Sequence, residues 1–368
     1  MLLSKKIRCI PTEEQEIKFK KSVGTARFVY NLMISENNKV YEEYLLNGKQ
    51  GTSPFISGYD FSKYIIRLKR TEKYFWLSEV SSRVAQQSCI DCENAFKNFF
   101  KGLSDYPKFK KKGIKDSFYV RYDSIRVTQR GFKCEKLGEI KTCEAIPKSN
   151  IYHNPRMVYD GKYWYITFGI DVPEKINDDN NGKTLGVDLG IKTFVAVSDG
   201  IVIPNINKSR KSKSIYRKIK YFQRKLARCK KGSNNRIKIV KKLKLLHRRL
   251  RNIRSNHIHQ ATAMLVKTKP AKIVIECLNV LGMLKNRKLS RAISEAGFYE
   301  FARQLEYKCR LLGIEFLKAD RFFPSSKLCS KCGCKKDKLK LSERTYCCEH
   351  CGNVMDRDLN AAINLSYL

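Results

Sequence analysis

The chain has 368 residues, more than one hydrophobic core normally serves, so two or three domains are expected. Hydrophobic residues make up an ordinary 42%, but 75 Lys and Arg against 35 Asp and Glu leave a net charge of +40 and a pI near 9.8. Such an excess repels itself unless a polyanion neutralises it, which points to nucleic acid as partner. A membrane span is excluded because no apolar run approaches the roughly 18 residues required.

The opening "MLLSKKIRCIPTEE" has neither the apolar core nor the cleavage site of an export signal. Fourteen cysteines without such a signal predict a reducing compartment. "KKIRCI" predicts a strand ended by Pro11, and Thr12 with Gln15 has the spacing of a capping box that opens a helix. Helical spacing continues through "TARFVYNLMISENNKVYEEYLL", and "SSRVAQQSCIDCENAFKNFF" predicts a second helix stopping at Gly102. Cys89 and Cys92 lie mid-helix without a second pair and read as packing residues.

From residue 105 the period changes. "PKFKKKGIKDSFYVRYDSIRV" passes from basic loop to alternating strand, and "RMVYDGKYWYITF" predicts a hairpin with a type I′ turn at Asp160-Gly161. Residues 105–172 are expected to form a small barrel completed by the first strand, with "DVPEKINDDNNGK" as a polar boundary. "TLGVDLGIKTFVAVSDG" then predicts two strands around Asp188.

Residues 208–254 hold 21 Lys or Arg and no acid, and read as two helices broken at "KKGSNN". A like-charged stretch of this length should lie against phosphates, which singles out Lys218, Arg224, Lys225, Arg248 and Arg249; a solvated basic face is the plainer alternative. "AKIVIECLNV" predicts an apolar strand ending at Glu276. "SEAGFYEFARQLEYKCRLLGIEFLKAD" predicts one amphipathic helix and a strand, and a final helix is expected from about residue 358.

Three acids sit in or beside these apolar elements: Asp188, Glu276 and Asp358. An uncompensated carboxylate there costs several kcal/mol, so such acids are paired, protonated or bound to a cation. Converging, they would make an oxygen site for magnesium or manganese and a two-metal nuclease. Each has a plainer reading alone. Asp188, flanked by glycines, could be a turn carboxylate, Glu276 an ion-pair partner, and Asp358 a helix N-cap. Asp356 competes with Asp358, and Asp199 and Asp320 are outside candidates.

Six cysteines crowd into residues 329–351. Cys329-x-x-Cys332 and Cys348-x-x-Cys351, each followed by Gly, have the spacing of a zinc ribbon with a closed, structural four-thiolate site. Cys334, Cys347 and His350 are spare donors that leave the choice at "CCEHC" open. The ribbon would fix Asp358, which follows it, and Arg344 of "LSERTY" is a candidate phosphate contact.

On "GVDLGIKTFVAVSDG", "IVIECLNV", "FPSSKLCSKCG" and "DRDLNAAINL", with "YPKFKKKG" a looser match, the chain resembles the TnpB family of transposon-encoded RNA-guided nucleases, relatives of type V CRISPR effectors. The resemblance spans essentially all residues and is most specific from 184 onward. It implies a multidomain α/β fold, with an RNase H-like (RuvC) nuclease domain carrying an inserted zinc ribbon. A small β-barrel (wedge) domain carrying a helical recognition insertion would precede it. The implied boundaries are 1–11 for the first wedge strand, 12–103 for the helical recognition domain and 104–180 for the wedge. The nuclease would occupy 181–325, with basic helices over 208–266, and 355–368, flanking a ribbon at 326–354.

The resemblance places catalysis and Mg2+ (or Mn2+) on Asp188, Glu276 and Asp358, and one structural Zn2+ on Cys329, Cys332, Cys348 and Cys351. It implies a guide RNA derived from the transposon end, target double-stranded DNA with a short adjacent motif, no membrane, and a monomer in a prokaryotic cytoplasm. Cys277 stands where the family commonly has an acid, and the tail after Asp358 is short. Three other readings stand beside it: a nuclease-inactive RNA-guided repressor, a transposase acting directly on DNA ends, and a stand-alone zinc-ribbon RNA-binding protein. The first would be expected to lose a catalytic acid, and the last leaves Asp188 and Glu276 unexplained.

Overall fold

The computed structural model describes residues 1–49, 54–174, 180–340 and 343–368. The polar stretch after residue 171 and the "LSERTY" segment thus lie partly outside the described residues. The chain divides into two compact units, Met1–Val172 and Pro173–Leu368.

In the first unit, β1 (Leu2–Ile10) leads into α1 (Glu13–Leu46). Thr12 caps this helix reciprocally: its Oγ1 accepts from the Gln15 N–H, and Gln15 Oε1 accepts from the Thr12 N–H. After α2 (Gly58–Leu68) and a 3-10 turn (Glu72–Ser78), α3 (Ser82–Phe100) ends before Gly102, whose φ of +70° reverses the chain. Cys89 and Cys92 are fully buried among α1, α2 and α3 as packing residues, and burial pushes both thiols up to about 12.

Seven strands follow one another across a single antiparallel sheet. They are β1 with β2 (Ser117–Tyr119), β3 (Arg126–Thr128), β4 (Gly131–Cys134), β5 (Gly138–Thr142), β6 (His153–Tyr159) and β7 (Trp164–Asp171), in the order β2-β6-β7-β1-β5-β4-β3. Laid flat, the seven strands would hold their edges about 29 Å apart, at about 4.8 Å per step. Residues 120–125, which join the edge strands, span at most about 24 Å. The sheet must therefore curl, and Ile7, Phe132, Ile140, Met157 and Ile166 meet Phe19 and Val23 of α1 in one core. The first strand completes this curled sheet between β7 and β5, and β2 and β3 are edges that do not pair with each other among the described residues. The hairpin turn also shifts by one residue. Asp160 bonds to Tyr163 across it, so Gly161 (φ +97°) and Lys162 are central, the glycine-first pattern of a type II′ turn.

In the second unit, β8 (Thr184–Leu189), β9 (Thr193–Val197) and β10 (Val202–Pro204) form an antiparallel meander. A basic helical pair, α4 (Arg210–Ala227) and α5 (Asn234–Lys267), follows. It breaks within "KKGSNN" as the sequence predicts, with Ser233 capping α5, and is held together by Ile215, Ile219, Ile239, Leu243 and Leu250. Next come β11 (Lys272–Ile275), α6 (Val280–Leu284), α7 (Ser290–Ala296), α8 (Phe298–Leu312) and β12 (Glu315–Lys318). The single amphipathic helix expected here is two, because Gly297 at φ +74° ends α7 before α8 starts. A small hairpin, β13 (Thr345–Cys347) and β14 (Val354–Asp356), feeds α9 (Arg357–Ser366).

The central sheet has the order β10-β9-β8-β11-β12, with β8, β11 and β12 parallel. Alternation divides its faces. Leu185, Val187, Leu189, Ile273 and Ile275 pack under α5 and α8. Gly186, Asp188 and Val274 point the other way, where α9 lies, and Val274 meets Leu365 of that helix.

Candidate active site and metal centre

Asp188 lies inside β8, paired with Ala196 of β9, so it is a strand residue and the turn reading is set aside. In the parallel ladder Val187 stands beside Ile275. The next residues, Asp188 and Glu276, are therefore neighbours on the face opposite α5 and α8, at the carboxyl end of both strands. Gly186 controls what covers that face. A Cβ there would come within 1.9 Å of the Ala362 carbonyl oxygen and 2.6 Å of the Ser366 nitrogen. Only glycine lets α9 lie directly on the strand. From Ala362 back to Asp358 the helix rises about 6 Å, close to the roughly 6.6 Å from Gly186 to Asp188 along the strand. This close contact carries Asp358 towards Asp188.

The electrostatics record that convergence. Burial, then Glu276, then Asp358 push the Asp188 carboxyl well above the usual carboxylate range, against a smaller opposing pull from Arg357. Burial also raises Glu276, partly offset by a hydrogen bond with Asp188. Each carboxylate therefore disfavours the other's ionisation. Asp358 faces two guanidinium groups, Arg344 at 3.7 Å and Arg357 at 3.6 Å. The donor set is all oxygen, which suits a hard divalent cation. The three carboxylates do not form a set with every oxygen within 4.8 Å of the others; among the described residues only two cysteine-containing groups do. Acids holding separate ions about 3.5–4 Å apart need no such closure.

The helix cap is Asp356, not Asp358. Asp356 Oδ1 accepts from the N–H groups of Asp358 and Leu359, while Asp358 sits in the first turn with its carboxylate clear of the cap. Asp199 and Asp320 are turn carboxylates, accepting from Ile201 and Phe322 respectively.

Cys329, Cys332, Cys348 and Cys351 converge. Cys329–Cys351 and Cys332–Cys348 sulfurs are each 3.6 Å apart, and all four lie within 4.8 Å of one another. A zinc tetrahedron with 2.3 Å bonds has sulfurs about 3.8 Å apart, so the cluster could hold that ion. Each knuckle repeats one geometry: the Gly333 N–H donates to the Cys329 carbonyl, the Gly352 N–H to the Cys348 carbonyl, and both glycines have φ near +70°. Burial opposes ionisation of Cys329, but donors from Cys332 and Lys331 outweigh it and bring the thiol down to about 6. A second set, Cys332, Cys334 and His350, also lies within 4.8 Å but offers three ligands. Cys347 joins neither set.

Two residues escaped the sequence reading. Asn360 is fully buried on α9 and Asn364 nearly so. Asn360 accepts from the Ser330 N–H and donates to the Leu328 carbonyl, while Asn364 donates to the carbonyls of Ser325 and Leu328. They bolt the first knuckle to the helix that carries Asp358. The available signal was two asparagines four apart on the same helix face as the apolar "AA" and "L" of "NAAINL". Of the expected phosphate contacts, Lys218, Arg224, Lys225 and Arg249 are exposed on α4 and α5, and Arg248 is half-buried. Arg344 is engaged by Asp358 and is not an unpaired surface cation. No described helix is long and apolar enough to cross a membrane.

These features define a multidomain α/β protein with a carboxylate cluster at a sheet edge and a four-cysteine ribbon beside it. The fold is that of the Cas12f1 chain in a cryo-EM structure of the Cas12f1–sgRNA–target DNA complex, at a TM-score of 0.56 and 15% identity, covering 100% of this chain and 98% of that one. Three family models match: "Cas12f1-like, TNB domain" over residues 298–365, "Probable transposase" (OrfB_IS605) over 167–287, and "Helix-turn-helix domain" (HTH_OrfB_IS605) over 1–45. The last of these spans is one strand and one continuous helix here. The chain is 33% identical to a "Putative RNA-guided DNA endonuclease" of Streptomyces pristinaespiralis, over 98% of this chain and 87% of that protein. It is 28% identical to "Putative RNA-guided DNA endonuclease InsQ" of Escherichia coli K12, over 98% and 90%. The chain belongs to the TnpB/IS605 OrfB transposase family.

Proposed function

We propose that the chain is an RNA-guided, magnesium-dependent DNA endonuclease carried by a transposable element, hydrolysing phosphodiester bonds at a RuvC-type site. The observation that carries this reading is the placement of Asp188 next to Glu276 on paired parallel strands, with α9 and its Asp358 packed against bare backbone at Gly186, since acids gathered in a buried site call for a cation. Support comes from the sheet: three antiparallel strands followed by two parallel ones, with the acid on the middle strand, is an RNase H-like order. The names of the relatives support guide and target as partners. The proposed domains are wedge (1–11 and 104–180), helical recognition domain (12–103), RuvC-like nuclease (181–325 and 355–368) and ribbon (326–354).

Asp188, Glu276 and Asp358 would hold magnesium, which when bound activates water and stabilises the departing oxygen. Arg344 and Arg357 pair with Asp358 and present positive charge where a phosphate would approach. The cysteine knuckles, through Asn360 and Asn364, hold α9 so that Asp358 stays over the sheet edge. The exposed cations of α4 and α5 are proposed to carry guide RNA by phosphate contacts.

The test is cleavage of double-stranded DNA matching the co-purified RNA. Wild type is expected to cut in magnesium, and Asp188→Ala to bind without cutting. Normal cutting by Asp188→Ala overturns the assignment, and guide-dependent binding without cutting by wild type would instead mark an inactive DNA binder.

A further inference from the structure

A cavity of 420 Å³ opens at the carboxyl ends of β8, β11 and β12, on the α8 side of the same edge that bears the acids. Its floor is apolar, built from Leu189, Ile275 and Leu278, and Glu276 sits at its border with the acid cluster. Tyr299, 74% exposed, stands at its rim on α8, one turn before Ala302 and Arg303. The volume is that of a small-molecule site.

Its charges select the occupant. The cations at the rim are already engaged: Arg303 makes two 2.8 Å bonds to Glu300, and Lys318 makes one of 3.0 Å to Glu306. With Glu276 and Glu306 also lining it, the cavity offers no surplus positive charge for a phosphate. What fits an apolar slot of neutral balance with an exposed aromatic ring at its mouth is a flat, uncharged aromatic group. Resting on the nuclease reading above, we propose that this cavity is a base pocket. It takes the unstacked nucleobase of a single DNA strand whose neighbouring phosphate lies at Asp188, Glu276 and Asp358. Tyr299 stacks on the base, and the apolar floor accepts any base by its face. The pocket would hold the strand in register for cutting without reading its sequence.

Cys277, half-buried and lining the cavity, provides the reporter. The intact protein–RNA complex is treated with a maleimide, and modification of Cys277 is followed by peptide mass. A phosphorothioate single-stranded oligodeoxynucleotide should slow modification about ten-fold, while an abasic oligonucleotide of equal length, bound to the same extent, should not. Equal protection by the abasic strand, or none from the full strand at saturation, overturns the proposal. Tyr299→Ala, which removes an exposed ring, should cut roughly ten-fold more slowly. Ala302→Trp, which fills the cavity, should abolish the Cys277 protection. Both variants should keep the wild-type stabilisation by magnesium. Normal cutting by both variants sinks the pocket alone. Failure of wild type both to cut DNA and to gain stability from magnesium sinks the nuclease reading and the pocket with it.

Discussion

Replacing Asp188 by asparagine should make the unliganded protein more stable. Adjacent residues on parallel strands sit about 4.8 Å apart, and two full charges at that separation with an effective dielectric near 20 repel by about 3 kcal/mol. For a unit of nearly 200 residues this corresponds to roughly 6–12 °C in melting temperature. The pH dependence has a definite sign. Burial and the neighbouring acids raise the folded-state proton affinity of Asp188, so the unfolded chain releases that proton first as pH rises. The destabilisation is absent below the ordinary carboxylate range and grows with pH until the folded-state carboxyl also ionises. Calorimetry without divalent ions should therefore find Asp188→Asn melting several degrees above wild type at pH 8, with the gap closing near pH 4. Addition of 10 mM magnesium, roughly a physiological excess over a typical site, should raise the melting temperature of wild type more than that of the variant. An Asp188→Asn protein that melts lower than wild type at pH 8, or gains as much from magnesium, would refute the account of a cation site under electrostatic stress.

Gly186→Ala should lower the melting temperature of the same unit by about 10 °C, because the new methyl meets α9 backbone that cannot move aside; a change under 2 °C would show that the helix is loosely seated. Asp356→Ala should cost about 1 kcal/mol in denaturant unfolding through loss of the α9 cap, whereas Asp358→Ala should not incur that loss. Cys348→Ser should reduce bound zinc, measured by elemental analysis, from one ion per chain towards none, and should diminish the magnesium response by releasing α9. Alanine at Lys218, Arg224 and Lys225 together should flatten the slope of log affinity for RNA against log salt by about 2–3 units, and an unchanged slope would remove α4 from the RNA surface.

The sequence by itself determined what local chemistry can specify. A capping box needs four consecutive residues, so Thr12 and Gln15 were legible. A cysteine knuckle needs two thiols three apart and a glycine with positive φ, so both half-sites could be read, and the ribbon followed from their pairing. Charge excess over 208–254 announced a basic helical pair because no acid interrupts it. Tertiary structure decided matters that depend on register and close approach. Whether Asp160-Gly161 or Gly161-Lys162 formed the turn depended on one hydrogen bond across the hairpin, and the sheet curled because residues 120–125 are too short to bridge it flat. Asp356 and Asp358 are equivalent candidates on paper. Only the packed helix assigns one carboxylate to its own backbone and leaves the other facing Arg344 and Arg357, because a cap satisfies donors within its own turn whereas a cluster needs groups delivered by separate elements. For the same reason the juxtaposition of Asp188 with Glu276 had to await the parallel pairing of β8 and β11, and that of Asp358 with Asp188 the bare backbone at Gly186.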